Sequence, residues 1–78
     1  MIYVLELANG KYYVGYSLLY KHRIEKHFAG EGSSWTRLHK PVKVLEVVEG
    51  DKDTEREVTL RYMREYGERR RVYCSQHT

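Results

Sequence analysis

Cysteine is nearly missing. One residue, Cys74, in a chain of 78 leaves no partner for an intramolecular disulfide and excludes a cysteine-rich zinc site. That usage fits a reducing, cytoplasmic setting. Long apolar runs are missing as well: nothing approaches the roughly 20 residues needed to cross a bilayer. No basic segment precedes the apolar opening stretch, so the chain is expected to be soluble and unprocessed, with no membrane partner. There is no glycine-rich loop carrying a phosphate-binding lysine, which argues against nucleotide hydrolysis. His22, His27, His39 and His77 lack the spacing of a helical zinc pair. An excess of one charge is also lacking. Fourteen Lys and Arg against 11 Asp and Glu give a net charge of +3, which permits a polyanionic partner without requiring one.

What the chain does have is tyrosine, eight of them, and a short series of well-marked elements. A chain of this length is one domain, 1–78, with a core over 1–67 and a tail over 68–78. Ile2 to Leu7 is apolar and β-prone, with Glu6 its polar member. Asn9-Gly10 is a strong hairpin signal, because a type I′ turn needs positive φ at both central residues. Lys11 to Tyr16 is the second arm. A turn centred on Asn9 and Gly10 sets Leu7 opposite Tyr12 and Tyr3 opposite Tyr16, with Tyr13 a diagonal step away. The face that each tyrosine takes depends on that register.

Ser17 is placed to cap a helix running to about Ala29, with Leu18, Leu19, Ile24 and Phe28 as its sheet-packing residues. Arg23 and His27 fall one turn apart on a single face of it. Gly30 to Ser34 is loop, followed by the mixed basic and aromatic segment Trp35 to Pro41. Val42 to Val48 is the third strand. A second long helix covers about Asp53 to Tyr66, capped by Asp53 or Thr54 and stopped by Gly67. Val72-Tyr73-Cys74 reads as a last short strand or a frayed tail. The order β-β-α-β-α implies an α+β domain, a three-stranded antiparallel sheet flanked by helices.

Several residues in this layout carry chemistry. Hydrolysis of a phosphodiester needs an activated water, cations on the phosphate and often a divalent metal. Tyr3 and Tyr13 sit mid-strand on the two hairpin arms, and a tyrosine can be driven toward phenolate beside a cation or a metal-bound hydroxide. Arg23 offers a planar fork for phosphate oxygens, and His27 exchanges a proton near neutrality. Glu55 is a hard oxygen donor suited to Mg²⁺ or Mn²⁺. Taken one at a time these residues have plainer roles: sheet aromatics, a solvated helix face and a helix-start acid favoured by the macrodipole.

Taken together, Ile2-Tyr3, Tyr13-Val14-Gly15, Arg23 ten residues after Tyr13 and His27 four later resemble the GIY-YIG nuclease domain. Tyr12 to Ser17, Ser34-Trp35-Thr36, Lys40-Pro41 and Tyr62 to Gly67 are similar to small stand-alone members, so the resemblance extends from Met1 to about Gly67. It implies a metal-dependent DNA endonuclease using one divalent ion, Mg²⁺ or Mn²⁺. By it, Tyr3 and Tyr13 share the general-base and water-orienting roles, Arg23 binds the scissile phosphate, and His27 supports the base or the attacking water. A helix glutamate ligates the metal. Glu55 is preferred to Glu57, because it shares a helical stripe with Val58, Tyr62 and Tyr66, while Glu57 leads toward Leu60, Arg61 and Arg64. Lys11, Trp35, Arg37 and Lys40 are the candidate nucleic-acid contacts, with Trp35 also readable as a core plug.

The implied substrate is DNA, branched or damaged forms included, and a partner subunit or a homodimer is compatible with so small a chain. Two departures are mild: Met1 stands where the family usually has the first glycine of its name, and Val14 replaces an isoleucine. A third is larger, since Asn9 belongs to the turn and no asparagine follows Gly67; Arg69, Arg70 and Arg71 are the available substitutes for a phosphate contact there. The other classes the sequence admits are a catalytically inactive nucleic-acid-binding module and a protein-interaction domain on the same fold.

Overall fold

The computed structural model describes residues 1–66 and 72–74. Two antiparallel strands, β1 (Ile2–Leu7) and β2 (Lys11–Tyr16), form the hairpin. Asn9 and Gly10 both take positive φ, 65° and 70°, as the turn signal requires. The connection, however, is the three residues Ala8–Gly10. Adding Ala8 to the turn moves the register by one residue from the expected one, so that Leu7 pairs with Lys11 and Tyr3 with Gly15.

That single step decides which side chains meet, because neighbouring residues of a strand point to opposite faces. Tyr3, Leu5, Leu7 and Tyr13 now form one buried cluster. Ile2, Val4 and Val14 project the other way.

The remaining elements are α1 (Tyr20–Phe28), α2 (Ser34–Leu38), β3 (Pro41–Val48), α3 (Lys52–Tyr66) and β4 (Val72–Cys74). The sheet order is β3-β1-β2-β4, with β3 antiparallel to β1 and β4 parallel to β2. The sheet is therefore four-stranded and mixed, where three antiparallel strands were expected. The difference is β4, whose Val72 is buried at the free edge of β2 and completes the apolar cluster there.

Local signals explain the other differences. Helix α1 begins at Tyr20, because the Ser17 hydroxyl is used within the preceding turn, accepting from the Leu19 N–H at 3.0 Å. Leu18, Leu19 and Phe28 do not pack on the sheet. They are 82%, 70% and 45% exposed, while Tyr20 and Ile24 pack against the tyrosine cluster. The basic and aromatic segment contains the short helix α2, capped by Ser33, whose side chain accepts from the Thr36 N–H. In α3 the cap is Asp51, which accepts from the N–H groups of Asp53 and Thr54 at 3.0 and 3.1 Å, rather than Asp53 or Thr54 themselves. The expected stop at Gly67 and the arginines 69–71 lie outside the described residues.

Two layers cover the sheet. Val58 and Tyr62 of α3 pack on Ile2, Val4, Val14 and Val72. On the opposite face, Tyr20 and Ile24 of α1 and Trp35 of α2 pack on Tyr3, Leu5, Leu7 and Tyr13. Among the described residues, no helix is long and apolar enough to cross a membrane.

Candidate active site

The centre of the second layer is polar. Tyr3 and Tyr13 lie diagonally across the hairpin, their ring centroids 6.2 Å apart. Among the described residues of α1, His27 is the buried one. Its ring centroid lies 5.8 Å from that of Tyr3 and 4.6 Å from that of Tyr13. Its Nε2 is 3.1 Å from the Tyr3 hydroxyl and its Nδ1 is 2.9 Å from the Thr36 hydroxyl. Both ring nitrogens are thus engaged inside the protein, which satisfies a buried imidazole that would otherwise be costly.

Two glycines make this packing possible. A Cβ at Gly15 would overlap the Tyr3 ring at Cζ, so the phenol lies flat against bare backbone of β2. A Cβ at Gly32 would overlap His27 Nδ1, so the loop before α2 closes directly onto the imidazole.

Burial pushes both phenols well above the usual tyrosine range. For Tyr3 the Tyr13 hydroxyl and the Glu55 carboxylate add to it, while the Arg23 guanidinium opposes. Tyr13 is pushed up to about 12 by burial and then by Glu55, against the opposing pull of Ser33 and Arg23. His27 is lowered to about 4, first by burial and then by the Arg23 cation. At neutral pH all three groups are uncharged, and the charges beside them come from Arg23 and Glu55.

Arg23 is exposed and lies one turn before His27. Glu55 is 1% exposed in the first turns of α3, whereas Glu57 is exposed. The structure thus gathers Tyr3, Tyr13 and His27 in direct contact and brings Arg23 and Glu55 close enough to act on both phenols.

The four candidate nucleic-acid contacts are placed differently. Trp35 is half-buried; its ring stacks on Tyr73 at 5.4 Å, meets His39 edge-on at 4.8 Å, and donates from Nε1 to the Tyr12 carbonyl at 3.2 Å. The Lys11 ammonium sits 5.7 Å from the Trp35 ring centroid. Tyr73 in turn stacks on Tyr13 at 5.9 Å, so an aromatic series links Trp35 to the tyrosine pair. Arg37 and Lys40 are exposed. Among the described residues, no three His, Cys, Asp or Glu side chains form a cluster able to hold a metal ion.

Three residues of the site escaped the sequence reading: Gly32, Ser33 and Thr36. The signal for two of them was present, since Ser33 and Thr36 have the spacing of an N-cap and the backbone N–H it accepts from. Nothing in the sequence pointed Thr36 at His27.

Known proteins resemble this chain over most of its length. A family model described as GIY-YIG catalytic domain matches residues 1–71. A UPF0213 protein of Halobacterium salinarum is 35% identical over 54 residues, covering 69% of this chain and 70% of the relative. A UPF0213 protein of Bacillus cereus is 43% identical over 51 residues, 65% of this chain and 52% of the relative. One of Streptococcus pneumoniae is 41% identical over 44 residues, 56% of this chain and 44% of the relative. The chain thus spans about half the length of the bacterial relatives it matches. No solved structure matches it. With the match running through both tyrosine strands, the histidine helix and α3, the chain belongs to the GIY-YIG catalytic domain family, a family of nucleases.

Proposed function

We propose that this chain is a divalent-metal-dependent endonuclease that hydrolyses phosphodiester bonds in DNA. The observation that carries the reading is the meeting of Tyr3, Tyr13 and His27 in one buried cluster, with one cation, Arg23, and one carboxylate, Glu55, acting on it.

In this reading exposed Arg23 receives the phosphate by its planar fork. An anion bound there offsets the positive charge that depresses His27 and makes the imidazole a better proton acceptor. Tyr3 and Tyr13 orient the attacking water by their hydroxyls. The metal is Mg²⁺ or Mn²⁺, held by Glu55. A single carboxylate is a hard donor that would fit an ion keeping most of its own waters, not one caged entirely by protein. When bound, such an ion supplies charge for the oxygens of the phosphate as the transition state forms. Lys11, Arg37 and Lys40, with Trp35 among them, are the proposed contacts to flanking nucleotides.

The test is nicking of plasmid, branched and single-stranded DNA with Mg²⁺ or Mn²⁺. Cleavage by the wild-type chain is expected to fall at least about 100-fold in Arg23→Ala and to vanish in Glu55→Gln. Salt-sensitive DNA binding without cleavage, indifferent to Glu55→Gln, would replace the enzyme by a binding module.

A further inference from the structure

The loop before α2 holds His27 by a set of hydrogen bonds whose direction can be worked out. The Thr36 hydroxyl touches the Ser33 carbonyl at 3.1 Å and His27 Nδ1 at 2.9 Å. A carbonyl only accepts, and a hydroxyl has one proton. If Thr36 gave that proton to Nδ1, two oxygens bearing only lone pairs would face each other across the Ser33 contact. The arrangement that leaves no such clash sends the Thr36 proton to the Ser33 carbonyl, the back-bonding habit of a threonine near a helix start. Nδ1 is then the donor to Thr36. A Cβ on Gly32 would overlap the same nitrogen, so the loop backbone lies against Nδ1 beside the Thr36 hydroxyl.

We propose that Thr36 is a positioning residue that fixes His27 in the Nδ1–H tautomer, so that Nε2 presents a lone pair to the Tyr3 hydroxyl. A neutral imidazole carries one N–H, and the partner of one nitrogen sets the role of the other. Tyr3 is therefore the donor in its 3.1 Å contact with Nε2; its oxygen accepts from the Tyr13 hydroxyl hydrogen-bonded to it, and one lone pair is left for a further proton.

This rests on the endonuclease reading and gives that reading a direction. A proton leaves the attacking water for the Tyr3 oxygen as the Tyr3 proton moves to Nε2. The water oxygen bonds to phosphorus, the bond from phosphorus to the leaving oxygen breaks, the leaving alkoxide takes a proton from solvent, and His27 returns its Nε2 proton to Tyr3 as Tyr3 releases the water's proton to solvent. Arg23 on the same helix, Tyr13 on β2, Glu55 on α3 and Ser33, whose hydroxyl bonds Tyr13 and lies 3.3 Å from the Thr36 hydroxyl, are the other polar groups bearing on this path.

The experiment is a long-range proton–nitrogen NMR spectrum of the histidine rings in ¹⁵N-labelled protein at neutral pH, assigned with His27→Gln. Wild type and Thr36→Ser are expected to carry the His27 proton on Nδ1, and Thr36→Val to move it wholly or partly to Nε2. A wild-type His27 with its proton on Nε2 overturns the proposal whether or not Thr36→Val folds, and so does a folded Thr36→Val with the tautomer unchanged. In cleavage assays Thr36→Val is expected to lose about ten- to a hundredfold in kcat with little change in KM, part of what general-base assistance contributes, and Thr36→Ser to recover it. Absence of cleavage by the wild-type chain would count against the nuclease reading, while the spectrum decides the tautomer separately.

Discussion

On the α3 side of the sheet, Ile2, Val4, Val14 and Val72 meet Val58 and Tyr62. On the other side, Tyr3 and Tyr13 meet His27 and Thr36 above a floor of Leu5 and Leu7. The same two strands supply both faces, residue by residue in alternation. The first face gains stability from apolar area removed from water. The second buries hydroxyls and an imidazole, which are tolerated only while each keeps its hydrogen-bond partner. The α3 side closes mainly on apolar side chains, although α3 also buries Glu55 and Thr59.

The sharpest test of that division is Tyr3→Phe beside Val4→Ala, neighbours on β1 that point opposite ways. Tyr3→Phe is expected to lower DNA cleavage by about 10²- to 10⁴-fold, the usual contribution of a positioned proton-transfer group. Its cost in urea-denaturation stability should be about 1 kcal/mol, the loss of one buried hydrogen bond. Val4→Ala should show the reverse: about 2–3 kcal/mol of stability lost to a cavity in a fully buried position, with cleavage per folded molecule unchanged. Equal effects of the two on both measurements would erase the distinction between the faces.

Acid should strike the polar face first. His27 is held at about 4 against an ordinary 6.5, so the unfolded chain binds a proton that the folded one refuses. Its contribution to stability is complete above pH 6.5 and is lost as pH falls from there toward 4. Allowing for water reaching the protonated ring, the loss over that window is expected to be about 2 kcal/mol. Urea titrations between pH 7.5 and 4.5 on wild type and His27→Gln measure it; the same slope in both would assign the acid sensitivity elsewhere. The smallest effect is expected at Glu57→Gln, on the exposed side of α3, with stability within about 0.5 kcal/mol of wild type and cleavage unchanged, in contrast to Glu55→Gln.

How far the sequence disclosed this structure depended on the kind of signal. Periodicity on α3 separates buried Glu55 from exposed Glu57, because a 15-residue helix gives several turns over which a stripe declares itself. Helix α1 has nine residues, and its exposed Phe28, with the exposed leucines just before the helix, outweighs in hydropathy the histidine that is in fact buried. Strand β4 is three residues long and follows a run of arginines, so its pairing with β2 is a tertiary event with little local trace. Asn9-Gly10 announced the turn correctly but said nothing of Ala8. The link from Thr36 to His27 joins two elements across a loop, and no local pattern encodes it.

The connection Ala8–Gly10 therefore carries more than a change of direction. Side chains along paired strands alternate, so the number of residues of this sequence taken into the turn sets the register: three, Ala8–Gly10, put Tyr3 and Tyr13 on one side of the sheet, and a two-residue turn on the same sequence would part them. Surface loops are ordinarily where chains gain and lose residues most freely. Here a residue gained or lost at the tip leaves the tyrosines together as long as Leu7 still pairs with Lys11, whereas a one-residue slip of that pair would send one tyrosine to the α3 side, so the register at the base of the hairpin is held by a site the turn does not touch.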